Sequence, residues 1–117
     1  MYEYHGFVSE VYDGDTITVD IDLGFYIHIH NQKFRLLYIN APEVRGSERE
    51  KGLISRDALR EKILEKNIVI KTLKDSKDKY GRWLCEVWVD NTNINQWMLD
   101  NQYAVVYEAD LNLKMEE

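Results

Sequence analysis

The run Thr16-Ile-Thr-Val-Asp-Ile-Asp22 alternates polar and apolar residues without a break. That period of two commits Ile17, Val19 and Ile21 to one face of a strand. Asp13-Gly14 just before it is a turn pair, and Phe7 to Val11 alternates on the far side of the turn, so the chain opens on a predicted hairpin. Phe25 to His30 alternates again. Asn31-Gln32 supplies turn residues, and Lys33 to Ile39 is apolar on both faces, the pattern of a central strand. One helix is expected from Ser47, which with Glu50 fits a capping box, through Leu53, Ile54, Ala58, Leu59, Ile63 and Leu64 up to Asn67. Strands follow over Ile68 to Leu73 and Trp83 to Val89, separated by the polar segment 74–79. A short helix around Ile94, Trp97 and Met98 and a last strand over Tyr103 to Tyr107 close the pattern. Trp83, Trp88 and Trp97 each sit in a periodic apolar pattern and are expected in or near the core. Strands grouped first, then a helix, two strands and a helix, predict a small mixed α+β barrel. A five-stranded OB-like barrel with two or three packed helices has this size.

At 117 residues the chain has room for one domain, residues 1–117, and its 44% hydrophobic and 31% charged content is that of a globular protein. The single cysteine, Cys85, excludes a disulfide framework and a multi-cysteine zinc site. No apolar run reaches membrane length. Met1 to Gly6 lacks a basic then apolar leader, so a cytoplasmic, membrane-free location is the expectation, with secretion of a processed form left open. The net charge of −6 is strongly segregated: residues 1–32 hold six acids and no Lys or Arg, whereas residues 33–82 hold fourteen of the fifteen cationic side chains. That distribution suits either a solvated basic helix and loop or a local phosphate-binding surface on an acidic protein.

Three clusters carry chemistry. Asp13-Gly14-Asp15-Thr16 reads as a hairpin turn, yet Asp15 shares the parity of Ile17, Val19 and Ile21 and so leans inward, where a carboxylate needs a cation. In Phe34-Arg-Leu-Leu-Tyr-Ile-Asn-Ala-Pro-Glu43, Arg35 stands in an apolar strand and requires an anion, either a structural partner or a ligand. Pro42 stiffens the end of that segment, so that the Ala41 carbonyl, the Asn40 side chain and the Glu43 carboxylate can be presented together, oxygen donors of the kind that suit Ca²⁺. Asp78-Lys79-Tyr80-Gly81-Arg82 reads as an exposed turn or as a cationic loop laying Arg82 on a phosphate.

Together and in this order, Val11-Tyr-Asp-Gly-Asp-Thr16, Phe34 to Glu43 and Asp78 to Arg82 resemble the staphylococcal nuclease (thermonuclease) family, over about Val8 to Ala104. The resemblance implies an OB-fold barrel and Ca²⁺-dependent hydrolysis of DNA and RNA phosphodiesters with little sequence preference, giving 3′-phosphate products. It implies Asp15, Asn40 and the Ala41 carbonyl as metal ligands, Glu43 as general base or water-orienting group, and Arg35 and Arg82 as the arginines that hold the phosphate. Lys79, Tyr80 and Tyr107 are implied to contact a terminal phosphate of the substrate. A monomer acting on DNA or RNA is expected.

The chain departs from the family at several points. Asn40 stands where an aspartate is usual, and an amide oxygen brings no charge to a cation. Ala41 replaces a usual threonine. The connection from Asp22 to Gln32 is longer than the family type and contains His28-Ile-His30, two metal-ligand residues without a third, which read as surface histidines. The segment after Tyr107 leaves little room for a last helix. A non-catalytic nucleic-acid-binding module of the same fold is the alternative, and it predicts loss of Glu43 or an arginine. An OB-fold that stacks single strands on exposed aromatics is a third.

Overall fold

The computed structural model describes residues 2–113, with the backbone alone for residues 74–76. Strands β1 (Tyr2–Asp13), β2 (Thr16–Asp22) and β3 (His28–Leu36) form an antiparallel meander. β5 (Asn67–Lys77) joins the other edge of β1, and β6 (Trp83–Val89) pairs with β5. A parallel pairing of β3 with β6, through Phe34↔Trp83, Arg35↔Leu84 and Leu36↔Cys85, closes the sheet on itself. The architecture is the expected five-stranded barrel of OB type, with helices α1 (Arg49–Ile63) and α2 (Ile94–Asp100) against it. Two short ladders complete it: β4 (Ile39–Asn40) with β8 (Val105–Val106), and β7 (Thr92–Asn93) with the end of β6.

The alternation of β2 explains the core. Ile17, Val19 and Ile21 are buried, as their parity requires, and meet Val8, Val11, Phe34, Leu36, Ile70 and Val87. Leu59 and Ile63 close one side from α1, and Ile94 and Met98 another from α2. Burying each such side chain contributes roughly 1.5–3 kcal/mol. Asn95, also buried, accepts the Val87 N–H and donates to the carbonyls of Leu37 and Cys85, tying α2 to the barrel seam. Trp83 and Trp97 pack against the core, and Trp88 lies half-buried beneath Lys71. Burial, then the Glu86 charge, pushes the Cys85 thiol up, which keeps it neutral.

Several local expectations change. The expected Phe25 to His30 strand with a turn after it at Asn31-Gln32 is replaced by a turn at Gly24–Ile27 and one continuous strand, His28–Leu36. Phe25 and Tyr26 both take positive φ, and the Ile27 N–H closes on the Gly24 carbonyl. Asn31 (φ 57°) forms a bulge within a continuous β3, and its N–H bonds Asp20 Oδ1 at 2.8 Å; asparagine tolerates the left-handed region better than most residues. Ser47 does not cap the helix. Gly46–Glu48 is a 3₁₀ turn, and α1 starts at Arg49 without a side-chain cap bond. The helix stops at Ile63 rather than Asn67, because Leu64 is extended and the Glu65 N–H is taken by the Val8 carbonyl. The apolar run Lys33 to Ile39 breaks after Leu36, where Tyr38 (φ 69°) turns the chain. The polar segment 74–79 does not end the strand before it, since β5 runs to Lys77. The last strand shrinks to Val105–Val106.

Gly52 lets α1 pass directly over the chain at Glu43: a Cβ there would overlap the Glu43 carbonyl and stand 2.8 Å from the Val44 nitrogen. Gly52→Ala is therefore expected to lower stability in urea unfolding by about 1–3 kcal/mol, although alanine is the better helix former. A stabilised variant would show that this approach is not tight.

Candidate active site

Strand register brings the three sequence clusters to one end of the barrel. Thr16 pairs with Arg35 across β2–β3, and Arg35 pairs with Leu84 across β3–β6. The Asp13–Thr16 turn, the body of β3 and the loop before β6 are thus neighbours, although about sixty residues separate the outer two.

Asp15 is buried, as its parity predicts. Its Oδ2 accepts the Ala41 N–H at 2.9 Å and its Oδ1 accepts the Thr16 hydroxyl at 3.1 Å. The same hydroxyl oxygen accepts a hydrogen bond from Arg82 Nη1 at 3.2 Å, so Thr16 links the acid to the arginine. Arg82 also holds Asp78 Oδ2 through Nε and Nη2, both at 2.7 Å, while Asp78 Oδ1 accepts the backbone N–H groups of Tyr80 and Arg82. Burial alone would raise the Asp78 carboxyl, but these bonds and the Arg82 charge hold it below the usual carboxylate range. The Arg82 guanidinium and the Lys79 ammonium each lie 5.2 Å from the ring of the exposed Tyr80.

Arg35 takes the structural option that the sequence left open. Its side chain is only 8% exposed; Nη1 donates to Asp110 Oδ2 at 2.9 Å and Nη2 to the Ile39 carbonyl at 2.7 Å. The Tyr107 ring lies 4.4 Å from the guanidinium. Asp110 Oδ2 also accepts the Tyr38 N–H, and the Tyr38 hydroxyl donates to the Leu113 carbonyl. Residues 108–113, with the 3₁₀ turn Glu108–Asp110, are thereby fastened across the end of the barrel.

Arg35, Lys79, Tyr80, Arg82, Tyr107 and Asp110 line one open cleft of about 470 Å³. Asn40 and Ala41 line a second concavity, of about 280 Å³, with Glu48, Lys51 and Tyr103. Asp15 is the bond between the two, through Ala41 on one side and Thr16 on the other. Glu43 is exposed on the segment leading to the 3₁₀ turn and lines neither.

Two acids escaped the sequence reading. Asp13 is buried beside Asp15, and its Oδ1 accepts the Asp15 N–H at 3.1 Å. Burial, then the Asp15 charge, pushes the Asp13 carboxyl well above its ordinary range. Its turn position concealed it; the Asp-x-Asp spacing was the available signal. Asp110 lies 75 residues from Arg35, and no local pattern announces it.

The donor chemistry fits a hard divalent cation. Two buried carboxyl groups stand side by side, and Asp15 is tied through the Ala41 N–H to the Asn40–Ala41 segment, which carries an exposed amide side chain and a backbone carbonyl as further oxygen donors. Among the described residues no three His, Cys, Asp or Glu side chains converge on one point, so such a set relies on neutral oxygens for its remaining ligands. Gly14 allows this close assembly: a Cβ on it would stand 2.6 Å from the Ala41 Cβ.

Comparison with known proteins adds a family context. The family described as Staphylococcal nuclease homologue matches residues 33–117. An uncharacterised endonuclease of Escherichia coli is 35% identical over 107 residues, covering 91% of this chain and 63% of the relative. An uncharacterised protein of Methanocaldococcus jannaschii is 26% identical over 132 aligned residues, covering 97% and 64%. Endonuclease YhcR of Bacillus subtilis is 29% identical over 115 residues, covering 90% of this chain and 9% of the relative. The chain thus spans less than two thirds of the length of each of these relatives. No helix among the described residues is long and apolar enough to cross a membrane.

Proposed function

The chain belongs to the staphylococcal nuclease homologue family, and from that premise we propose that it hydrolyses phosphodiester bonds of DNA or RNA with little sequence preference, using Ca²⁺ and leaving 3′-phosphates. The observation that carries this reading is the single cleft holding two arginines, Lys79 and two tyrosines, joined through Thr16 to a buried carboxylate. Asp15, Asn40 and the Ala41 carbonyl would hold the ion, with Asp13 beside them. When bound, Ca²⁺ supplies positive charge against the scissile phosphate and an ordered place for water.

The chain's own groups do the rest. Arg82, held by a partly exposed pair with Asp78, swings its planar fork onto the phosphate and can donate toward the leaving 5′ oxygen. Arg35 holds a fixed positive charge at the cleft floor; both of its terminal nitrogens are already engaged, so it acts by field and by shared protons rather than as a free clamp. Glu43 would accept the proton of the attacking water, which asks its exposed segment to bring the carboxylate toward the cleft that it does not line here. Lys79, Tyr80 and Tyr107 bind the flanking phosphate. Among the described residues no base-reading element accompanies them, which suits recognition of the backbone alone.

Cleavage of single-stranded DNA with Ca²⁺, with Mg²⁺ and with chelator, alongside Glu43→Gln, tests the reading. Activity requiring Ca²⁺ and lost in Glu43→Gln supports it; activity that survives both chelator and substitution rejects it. The neutral Asn40 predicts weak Ca²⁺ affinity, and Asn40→Asp should tighten it in a calorimetric titration. Equal affinities would remove Asn40 from the ligand set. The committed Arg35 and the uncharged Asn40 favour one second reading, a non-catalytic module that binds nucleic acid in the same cleft. Metal-independent binding without cleavage would establish it.

A further inference from the structure

The far end of the β2–β3 hairpin carries a different donor set. All three histidines of the chain, His5, His28 and His30, line one open concavity of about 580 Å³ together with Asp20 and Asp22. We propose that this face of the sheet binds a transition-metal ion of the Zn²⁺ class, held by His5, Asp22 and His28 with His30 and Asp20 in support.

Strand register makes the case. His5 on β1 lies directly opposite Asp22 on β2, and Asp22 lies directly opposite His28 on β3. Directly opposed residues of antiparallel strands share a face with Cβ atoms about 4.5–5.5 Å apart. Asp22 therefore has an imidazole on each side, in one row across three strands. The face is the outer one, since the neighbours Gly6 and Ile21 are buried inward while His5, Asp22 and His28 are exposed. The next row places His30 Nδ1 3.4 Å from Asp20 Oδ1, and the His28 and His30 rings stack at 6.2 Å. The Asn31 bulge is what returns His30 to this row beside Asp20.

As they stand, these side chains do not surround one point. Rotation of exposed side chains would bring them together: the His30 side chain is 69% exposed, His5 and His28 are exposed as well, and Asp22, whose Oδ1 accepts the Gly24 N–H at 2.8 Å, would offer its other oxygen. The backbone supplies the spacing, and two imidazoles with one carboxylate form a three-ligand set that leaves a fourth tetrahedral position open. Imidazole nitrogen selects Zn²⁺, Ni²⁺ or Cu²⁺ over Ca²⁺. No Lys or Arg lies within residues 1–32 to neutralise these aspartates from their own hairpin. The cleft near Thr16 and Arg35 lies at the opposite end of the same strands, so the two sites share no residue.

The test is a calorimetric Zn²⁺ titration of the intact protein in excess Ca²⁺, with Co²⁺ absorption as a second readout of the ligand sphere. One equivalent is expected at a dissociation constant on the order of micromolar, weakened about tenfold or more in each of His5→Ala and His28→Ala. Both positions are exposed, so the variants should keep the fold; His5→Gln repeats the test with a larger polar side chain. The absence of saturable binding below about 1 mM overturns the proposal. Binding that His5→Ala and His5→Gln leave unchanged also overturns it, because the His28–His30 pair would then act without β1. Competition by Ca²⁺ would assign the metal to the other end of the barrel and overturn it too.

Discussion

Replacing Asp110 with alanine is expected to lower the unfolding free energy by about 3–5 kcal/mol, the cost of leaving one partner of a buried ion pair alone. The pair is enclosed, with side-chain exposures of 8% for Arg35 and 9% for Asp110. Asp110 Oδ2 also takes the Tyr38 N–H, so alanine orphans a backbone donor at a left-handed turn as well as a guanidinium. Asp110→Asn keeps an oxygen acceptor for one of these donors and should cost less. The double variant Arg35→Leu, Asp110→Leu should recover much of the loss, because apolar side chains leave no charge behind. Urea unfolding of the set decides it. A loss below about 1 kcal/mol for Asp110→Ala would place the pair in water rather than in the protein.

Arg82→Ala should reduce phosphodiester cleavage about 10²–10³-fold, the range for removing one preorganised group that stabilises transition-state charge. Stability should change little, because the Arg82–Asp78 pair is partly exposed, and such pairs contribute about 0–1 kcal/mol. On the proposed function that contrast would separate the two arginines: a buried ion pair makes Arg35 chiefly structural, whereas the partly exposed Arg82 would act chiefly on the substrate. Arg82→Lys should restore only part of the rate, since a lysine cannot span Thr16 Oγ1, Asp78 and a phosphate with a planar fork. A decrease of less than tenfold in single-turnover cleavage, with the thermal midpoint unchanged, would remove Arg82 from the reaction.

Much of the fold was legible because burial acts through local periodicity. The bounds of β2 follow from alternation, the apolar run Trp83 to Val89 marks β6, and the apolar spacing of Ile94, Trp97 and Met98 marks α2. Boundaries set by backbone detail were not legible. Phe25 and Tyr26 occupy left-handed conformations that aromatic residues rarely adopt, so nothing marked Gly24–Ile27 as the turn, whereas Asn31 looked like a turn residue and became a bulge. Ser47 and Glu50 had the right spacing for a cap, yet the chain tightens into a 3₁₀ turn before the helix begins.

For the site, sequence alone determined which residue types were present and which of them had to point inward: Asp15 by its parity with Ile17, and Arg35 by its place in an apolar strand. It also determined that Arg35 needed an anion, because a lone buried charge is too costly to keep. Only the tertiary structure decided which anion that is. Asp110 reaches Arg35 from 75 residues away, Arg82 reaches Asp15 through the Thr16 hydroxyl, and His5 comes to lie beside Asp22 and His28. Periodicity is a property of neighbours along the chain, whereas these partnerships arise from barrel closure and strand register, which act between segments that carry no mark of one another.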